Sequence, residues 1–172
     1  MKVNANLKPN DDSFKIGQVA EDLFQISCWK KGYNVTKSSR SKDMFDHIDY
    51  YVKTKGGELR SFDVKSRKRT KRGDKNFNDD WIWIEFKNVN GKNGWLYGKA
   101  DYIAFERKDS FLIVQRKELA GLCEKRVDLE TKVKNANQAR YKSYTSWQRK
   151  DVLSQIKTED IIKNTKTWVW GV

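Results

Sequence analysis

The chain is poor in cysteine, proline and glycine, and it has no long apolar run. One proline and ten glycines in 172 residues leave few candidate linkers, which favours a single domain. Cys28 and Cys123 are too few and too far apart for a cysteine-based zinc finger or a disulfide scaffold. No run approaches the roughly 18–20 apolar residues that a membrane span needs. We therefore expect no membrane partner and a reducing, cytoplasmic location.

Positive charge and large aromatic rings are what the chain has in excess. Lys and Arg total 36 against 23 Asp and Glu, which gives a formal net charge of +13. Such a charge points to a polyanionic partner, most simply nucleic acid, although a basic protein that is merely soluble has the same composition. Seven Trp, seven Tyr and eight Phe can build a core from few residues, so we expect a folded protein. Without a G-x-x-x-x-G-K-[ST] motif, no ATP-driven role is indicated.

Hydrophobic periodicity predicts helices separated by a series of short strands. Apolar residues at helical spacing predict a helix that begins with Ser13 as its N-cap and ends near Gly32. Further helices are predicted over about 116–126 and 158–162. The strand-like runs are 33–36, 45–53, 59–65, 81–89, 100–106, 111–114 and 152–156. The segments predicted to lack regular structure are 66–80 and 127–150.

The order of these elements indicates an α/β or α+β fold, with a mixed β-sheet flanked by helices. We expect one domain over residues 1–172. Its parts are a mobile lead-in at 1–12, a core at 14–126, and a basic, aromatic C-terminal extension at 127–172 that packs on the core.

Two acids and a lysine converge on a predicted hairpin. If residues 54–58 form its loop, Asp49 lies directly opposite Asp63. Asp63 and Lys65 are two residues apart on one strand, so their side chains share a face, and we expect neither to be buried in apolar surroundings. Two facing carboxylates repel unless a cation lies between them, and hard oxygen ligands favour Mg²⁺ or Mn²⁺. Such an ion beside a lysine suits the hydrolysis of a phosphodiester.

These residues resemble the PD-(D/E)xK nuclease superfamily, which includes restriction endonucleases, Holliday-junction resolvases and phage nucleases. Asp49, followed by three apolar residues, matches the superfamily's first acid, and the Asp-Val-Lys run at 63–65 matches its (D/E)xK element. Glu21, on the first predicted helix, matches the acid that many members place ahead of the core. One departure is Ile48, which stands where the superfamily pattern has a proline.

The resemblance implies a restriction-endonuclease-like core and a metal-dependent DNA endonuclease, acting on branched or otherwise structured DNA among other forms. In that case Glu21, Asp49 and Asp63 bind Mg²⁺ or Mn²⁺. Lys65 then assists the attacking water. A homodimer, and the host cytoplasm if the chain is phage-encoded, are further expectations. The alternatives are a nucleic-acid-binding protein that does not cut and a host-factor-binding protein on the same fold.

A second arrangement of the acids is open. Glu85 and Lys87 form another E-x-K pair on a predicted strand, with Asp63 upstream as the first acid. We rank it second, because Asp49 and Lys65 would then have no role. In an intermediate arrangement, Glu85 adds a ligand or positions a water at the first site. His47 shares the face of Asp49 in the predicted strand and could contact phosphate, but a single histidine more often has a structural role.

Basic residues crowd the segment that follows Lys65. Seven Lys or Arg occupy the eleven positions from 65 to 75, and another basic group lies near 149. Beside a phosphodiester site, such residues would neutralise backbone charge without sequence preference; the alternative is a solvated loop that contacts nothing. The predicted DNA-binding residues are Arg67, Lys68, Arg69, Lys71, Arg72, Arg149 and Lys150.

Overall fold

The structure, a computed structural model, describes residues 12–71 and 73–172, which form an α+β fold with two mixed β-sheets flanked by helices. The helices are α1 (Asp12–Lys30), α2 (Arg40–Asp46), α3 (Arg116–Arg126) and α4 (Thr158–Asn164). The strands are β1 (Asn34–Lys37), β2 (Tyr50–Lys53), β3 (Leu59–Lys65), β4 (Trp81–Lys87), β5 (Tyr102–Arg107), β6 (Ser110–Gln115), β7 (Asp128–Val133), β8 (Lys142–Tyr144), β9 (Val152–Lys157) and β10 (Thr167–Gly171). Single 3₁₀ turns lie at Trp95–Tyr97 and Ala136–Gln138.

The first sheet has the strand order β1-β2-β3-β5-β6-β10. Its central pair, β3 and β5, is parallel, and the other neighbouring strands are antiparallel. Helix α1 covers one face, because Ala20, Phe24 and Cys28 are four residues apart and form a buried stripe along the helix. The ring of Phe24 lies 5.2 Å from that of Phe62 on β3 and stacks on Trp170 of β10 at 5.9 Å.

The second sheet, in the order β4-β9-β8-β7, packs with α3 against the other face of the first. Strand alternation decides which residues meet in this second core. On β4 the apolar residues Ile84 and Phe86 enter it, and on β5 Ile103 and Phe105 do the same. On β3, Phe62 and Val64 pack in the α1 core, so Asp63 and Lys65 point to the side of the second sheet.

The hairpin that carries the acids has the predicted register. Thr54 N donates to Glu58 O at 2.9 Å across the loop, and Tyr50 pairs with Phe62. Asp49, one residue before β2, donates its backbone N–H to Phe62 O at 2.8 Å. Asp49 therefore lies opposite Asp63, as the loop length predicted.

Other predicted elements are confirmed with shifted bounds. Helix α1 ends where expected, because Gly32 takes up a positive φ of 71° and its N–H donates to Trp29 O at 2.8 Å. Since α1 begins at Asp12, Ser13 lies inside the helix and is not its N-cap. Helix α3 has the predicted bounds, and α4 covers the predicted short helix.

The strand predicted over 45–53 is wrong in its first half. Residues 40–46 form α2, whose N-cap Ser39 accepts a hydrogen bond from Lys42 N and whose Asp46 forms an i,i+4 ion pair with Lys42 at 2.8 Å. The helix ends at His47, which has a left-handed φ of 53°. These polar capping contacts outweigh the weak strand pattern.

The expectation of one mixed sheet and an irregular 127–150 is also wrong. Strand β4 leaves the hairpin's sheet to pair with β9, and the segment 127–150 contains β7 and β8. The predicted strand at 152–156 is not the last, because β10 follows and pairs with β6. The extension predicted over 127–172 thus supplies strands to both sheets.

The two cysteines form no disulfide with each other. Cys28 and Cys123 are free and lie buried in different apolar clusters, where burial raises the pKa of each thiol to about 12. Among helices in the described part of the chain, none is long and apolar enough to cross a membrane. Apart from Asp12, the predicted lead-in at 1–12 lies outside the described residues.

Candidate active site

The β2–β3 hairpin brings Asp49, Asp63 and Lys65 to one place. Asp49 is 8% exposed, and its Oδ2 accepts a hydrogen bond from Val64 N at 2.6 Å, which fixes the carboxyl group against β3. The Lys65 Nζ lies 2.6 Å from Asp63 Oδ1. Two carboxyl groups and an ammonium group therefore meet where the sequence predicted them.

Asp63 is more deeply buried than the sequence predicted. The residue is 1% exposed, while the side chain of Lys65 keeps 24% of its surface in solvent. The second sheet and its connections cover this end of β3, which a strand pattern does not reveal. Replacing Asp63 by alanine would therefore leave the Lys65 ammonium without its partner, and the fold would not be indifferent to the change, contrary to our expectation.

Burial and mutual repulsion control the charges of the two acids. Burial, and then the charge of Asp63, raise the pKa of Asp49 to about 8. Burial also raises the pKa of Asp63, against the opposing effect of Lys65. Burial by itself would lower the pKa of Lys65, but the charges of Asp63 and Asp49 more than offset it and raise that pKa. Near neutral pH, the acid pair therefore keeps a proton.

The acid pair fits a small divalent cation. The second oxygen of Asp63, Oδ2, is buried, and the proton that the acid pair keeps can form a hydrogen bond between Asp49 and Asp63. A divalent cation bound between the two carboxyl groups would replace that proton. Mg²⁺ typically uses one or two protein carboxylates and completes its octahedron with water and substrate phosphate. Asp49 and Asp63 can provide such a pair.

Glu21 lies outside this cluster. It is on α1, and its Oε2 forms an ion pair with Lys37 Nζ on β1 at 2.9 Å. The charge of Glu21 is close enough to contribute to the raised pKa of Asp49. Over residues 12–71 and 73–172, no three His, Cys, Asp or Glu side chains are grouped closely enough to hold a metal ion. The role of Glu21 as a third ligand stays a prediction.

A carboxylate of the second sheet approaches the same lysine. Glu85 on β4 is half-buried, and its Oε1 accepts a hydrogen bond from Trp95 N at 3.2 Å. Burial raises the pKa of Glu85, and the nearby Lys65 opposes that rise. The Lys65 Nζ also lies 5.3 Å from the centre of the Trp95 ring, a cation–π contact. Lys65 thus pairs with Asp63, contacts the ring of Trp95 and is influenced by the charge of Glu85.

This geometry favours the intermediate arrangement over the rival one. Lys87 is exposed, and a register shift in the β4–β9 pairing separates it from Glu85. The E-x-K pair of β4 therefore brings its acid, but not its lysine, towards Asp63. Trp95 is a contact that sequence reasoning missed, since nothing in the pattern connects a 3₁₀ turn to a strand of the other sheet.

We predict that Gly94→Ala disturbs the support of Glu85. A Cβ at Gly94 would lie 2.4 Å from Glu85 O and 2.7 Å from Glu85 Cγ, so the backbone must shift. We expect a loss of about 1–3 kcal/mol in the free energy of unfolding, measured by chemical denaturation. The matched control is Gly121→Ala on α3, where a Cβ meets nothing within 4 Å and should stabilise the helix. Equal stabilities of the two variants would contradict the contact.

His47 lies beside the acids but has a structural position. It ends α2 with its left-handed backbone, and its N–H donates to Lys42 O, so it is not on the strand that the sequence predicted. Burial, and then the charge of Lys65, lower the pKa of His47, so the imidazole is neutral near neutral pH. The adjacent Asp46 is held by ion pairs with Lys42 at 2.8 Å and Lys99 at 2.9 Å.

The basic segment after Lys65 is ordered by specific contacts. Arg67 forms a two-pronged ion pair with Asp79, at 2.8 and 3.0 Å. The guanidinium groups of Arg67 and Arg69 both lie about 5 Å from the Phe77 ring, at 4.9 and 5.0 Å. The indole N–H of Trp83 donates to Arg69 O at 3.1 Å. The segment is thus attached to β4, and the charge of Arg67 is already compensated.

The cations line a cleft of about 660 Å³ between the carboxyl ends of β3 and β5 and the second sheet. Its lining residues include Lys65 and Glu85 but neither Asp49 nor Asp63, so it reaches the acid cluster at Lys65. Of the predicted DNA-binding residues, those in its wall are Arg67, Lys68, Arg69, Lys71 and Arg149. Lys150 is exposed outside the wall, and Arg72 lies outside the described residues. Arg107 and Lys134 also line it, which sequence reasoning missed.

No protein-family model, curated protein or solved structure matches the chain. What the site can do therefore follows from its own residues. They supply two facing carboxyl groups, an ammonium group and a cationic cleft. Such a set can bind a divalent cation and an anionic ester next to each other.

Proposed function

We propose that the protein is a metal-dependent DNA endonuclease of the PD-(D/E)xK type. The observation that carries this proposal is the meeting of Asp49, Asp63 and Lys65, of which Lys65 also lines a cationic cleft. A protein that only binds DNA gains nothing from two facing acids, because they repel the phosphates as well as each other. An enzyme that holds a cation there gains a catalytic centre.

The residues divide the chemistry among them. Asp49 and Asp63 would hold Mg²⁺ or Mn²⁺, which when bound polarises a phosphate oxygen and acidifies a water. The acid pair must first release its proton, since only carboxylates bind the cation. Lys65 stabilises the charge that develops on the phosphate, and Trp95 holds its ammonium group in place. Glu85 is placed to orient a water from the other side of Lys65.

The topology supports a restriction-endonuclease-like core. Helix α1 precedes the β2–β3 hairpin, and β5 returns parallel to β3, which is the helix, hairpin and strand order that the resemblance implies. The strand β4 is then an addition between β3 and β5 in the chain, and its sheet partners come from the segment after α3. A homodimer that cuts two strands is part of this proposal.

A DNA-binding protein that does not cut is the second candidate. The observation in its favour is the 2.6 Å ion pair between Lys65 and Asp63, because this pair already neutralises one acid without a cation. The two candidates differ in their need for metal. Binding without catalysis would persist in a chelator, while hydrolysis would not.

The experiment incubates the purified protein with linear duplex, branched and single-stranded DNA, each with Mg²⁺, Mn²⁺ or chelator. We expect cleavage products with Mg²⁺ and Mn²⁺ and none with chelator. Stable complexes without cleavage of any of these substrates, under all three conditions, would favour the second candidate. The branched arm also tests the preference for structured DNA.

We predict that the cations of the cleft set the salt dependence of DNA binding. A triple variant of Lys68, Arg69 and Lys71, each to Gln, should weaken binding on every sequence alike. Each lost phosphate contact should reduce the log–log slope of affinity against salt by roughly 0.9 on duplex DNA. The matched control is Arg67→Gln, which removes the ion pair with Asp79 and should lower Tm with little change in slope. An unchanged slope in the triple variant would mean that these residues do not contact DNA phosphates.

A further inference from the structure

The wall of the cleft contains aromatic rings that are held rigidly. The Trp83 indole is fixed by its hydrogen bond to Arg69 O, and its ring lies 5.8 Å from that of Tyr144, with both residues half-buried. Trp81 is on β4 with Trp83, and its ring is covered by the Arg140 guanidinium carbon, 4.4 Å from the ring centre. In the described part of the chain no cation covers Trp83 or Tyr144. These two rings therefore present π-surface to whatever enters the cleft.

The charge of the cleft selects an anionic occupant. Cationic residues in its lining outnumber carboxylates by eight to four. They come from segments that surround the rings: the loop after β3, the end of β5 at Arg107, and the positions Lys134 and Arg149. A chain of phosphates passing through the cleft would meet a cation on several sides.

Two of these guanidinium groups each have one buried N–H without an acceptor among the described residues. The Nε atoms of Arg69 and Arg107 are buried and donate no hydrogen bond to the described residues. A buried donor without an acceptor costs free energy, and an anion bound to the guanidinium group would offset that cost. This is a second sign, independent of the rings, that an anionic ligand belongs here.

The size of the cleft favours an unpaired strand over a paired helix. A volume of about 660 Å³ lies within the roughly 300–1,000 Å³ range of sites that enclose small ligands. Unstacked nucleotides fit inside such a space, whereas a duplex is too wide to enter it and can contact only the cations at its rim. The bases of a duplex also stack on each other and offer no face to Trp83. Rings and cations interleaved in a narrow groove are typical of single-strand binding.

We propose that the cleft binds unpaired nucleotides of a DNA strand, with a base on the Trp83–Tyr144 platform and phosphates on the surrounding arginines and lysines. The proposal rests on the proposed function and names its substrate class. The strand would reach the acid cluster unpaired, as in a flap, a junction arm or a frayed end. Lys65, which lines the cleft and pairs with Asp63, then lies between the bound strand and the acids.

The test measures binding in chelator, so that cleavage plays no part. Fluorescence anisotropy follows a labelled oligothymidylate of about 12 nucleotides and a mixed-sequence duplex of the same length. Trp83→Ala should weaken binding of the single strand by roughly 5- to 150-fold, which corresponds to one lost stacking contact. Binding of the duplex, which depends on phosphate contacts outside the rings, should stay unchanged.

Two further variants separate stacking from disorder of the loop. Trp83→Phe keeps a ring but loses the hydrogen bond to Arg69 O, and we expect it to retain most of the affinity for the single strand. Trp29→Ala removes an exposed tryptophan on α1, 57% exposed and remote from the cleft lining, and should change nothing. Equal losses in Trp83→Ala and Trp83→Phe would attribute the effect to the loop and overturn the proposal.

The outcomes distinguish this proposal from the proposed function. If Trp83→Ala binds the single strand as tightly as the wild type, the cleft assignment is wrong, even if the protein cuts duplex DNA with Mg²⁺. If single-strand binding depends on the Trp83 ring but no substrate is cut with either metal, the cleft assignment stands and the nuclease proposal fails.

Discussion

Asp63→Asn is expected to reduce metal-dependent DNA cleavage by roughly a hundredfold to a thousandfold or more. The amide keeps the shape of the side chain but cannot bind a cation as a carboxylate does. It also removes the partner of Lys65, whose Nζ lies 2.6 Å from Asp63 Oδ1. The measurement is the initial rate of cleavage at saturating Mg²⁺, on whichever substrate the wild type cuts.

The same variant should also lose stability, which makes a control necessary. Removing one partner of a buried ion pair leaves an uncompensated charge, whereas removing both does not. We therefore expect Asp63→Asn to lower Tm, and the double variant Asp63→Asn with Lys65→Met to recover part of that loss and remain inactive. Asp22→Asn, one residue from Glu21 on the exposed side of α1, should cleave like the wild type. Full activity in a folded Asp63→Asn variant would remove the site assignment.

Glu85→Gln decides between the two arrangements of acids. In the proposed site it is an accessory group, so its loss should slow cleavage less than the loss of Asp63. If Glu85→Gln and Lys87→Ala are the inactive variants and Lys65→Ala is active, the rival arrangement is right. The exposed position of Lys87 argues against that result.

The sequence predicted those parts of the fold that local patterns determine. The Gly56–Gly57 loop set the hairpin register, and with it the position of Asp49 opposite Asp63. The i,i+2 spacing put Asp63 and Lys65 on one face. Alternation on β4 and the bounds of α3 were equally local, because a face and a cap are properties of a few neighbouring residues.

The pairing of strands that are far apart in the chain could not be predicted from the sequence. The pattern of β4 shows that it has two different faces, but nothing in it says that its partner is β9 and that a second sheet results. The edge strands β7 and β10 were missed because most of their residues are exposed, so no alternation marks them. The burial of Asp63 and the Lys65–Trp95 contact depend on that second sheet, and so they could not be foreseen either.

The last prediction concerns the cation itself and begins with the protein in chelator. Burial and the charge of Asp63 raise the pKa of Asp49 to about 8 in the folded state, against about 3.9 for an unfolded Asp. Between these values the folded state binds more protons than the unfolded state, so stability should fall as pH rises through this window. The raised pKa of Asp63 acts in the same direction. Lys65, whose pKa is also raised, stays charged throughout.

Mg²⁺ should reverse this loss. It binds the carboxylate form, so its stabilising effect should be larger near pH 8.5 than near pH 6. At about 100 times its dissociation constant, an ion that binds only the folded state contributes about 2.7 kcal/mol. For a domain of this size, that corresponds to a rise in Tm of roughly 5–10 °C. Ca²⁺ should stabilise as well, because oxygen ligands suit it, while supporting little or no cleavage.

Asp49→Asn provides the matched comparison. Its amide oxygen can still accept the hydrogen bond from Val64 N, but the group no longer titrates or repels Asp63. In chelator at pH 8.5 we expect this variant to melt at a higher temperature than the wild type, and added Mg²⁺ should raise its Tm little. Asp22→Asn should respond like the wild type. A short duplex is included in a parallel series, since in the proposed site a DNA phosphate would complete the coordination of Mg²⁺. If wild type and Asp49→Asn respond identically to the ion in both series, the acid pair is not a metal site, and the DNA-binding protein that does not cut becomes the better proposal.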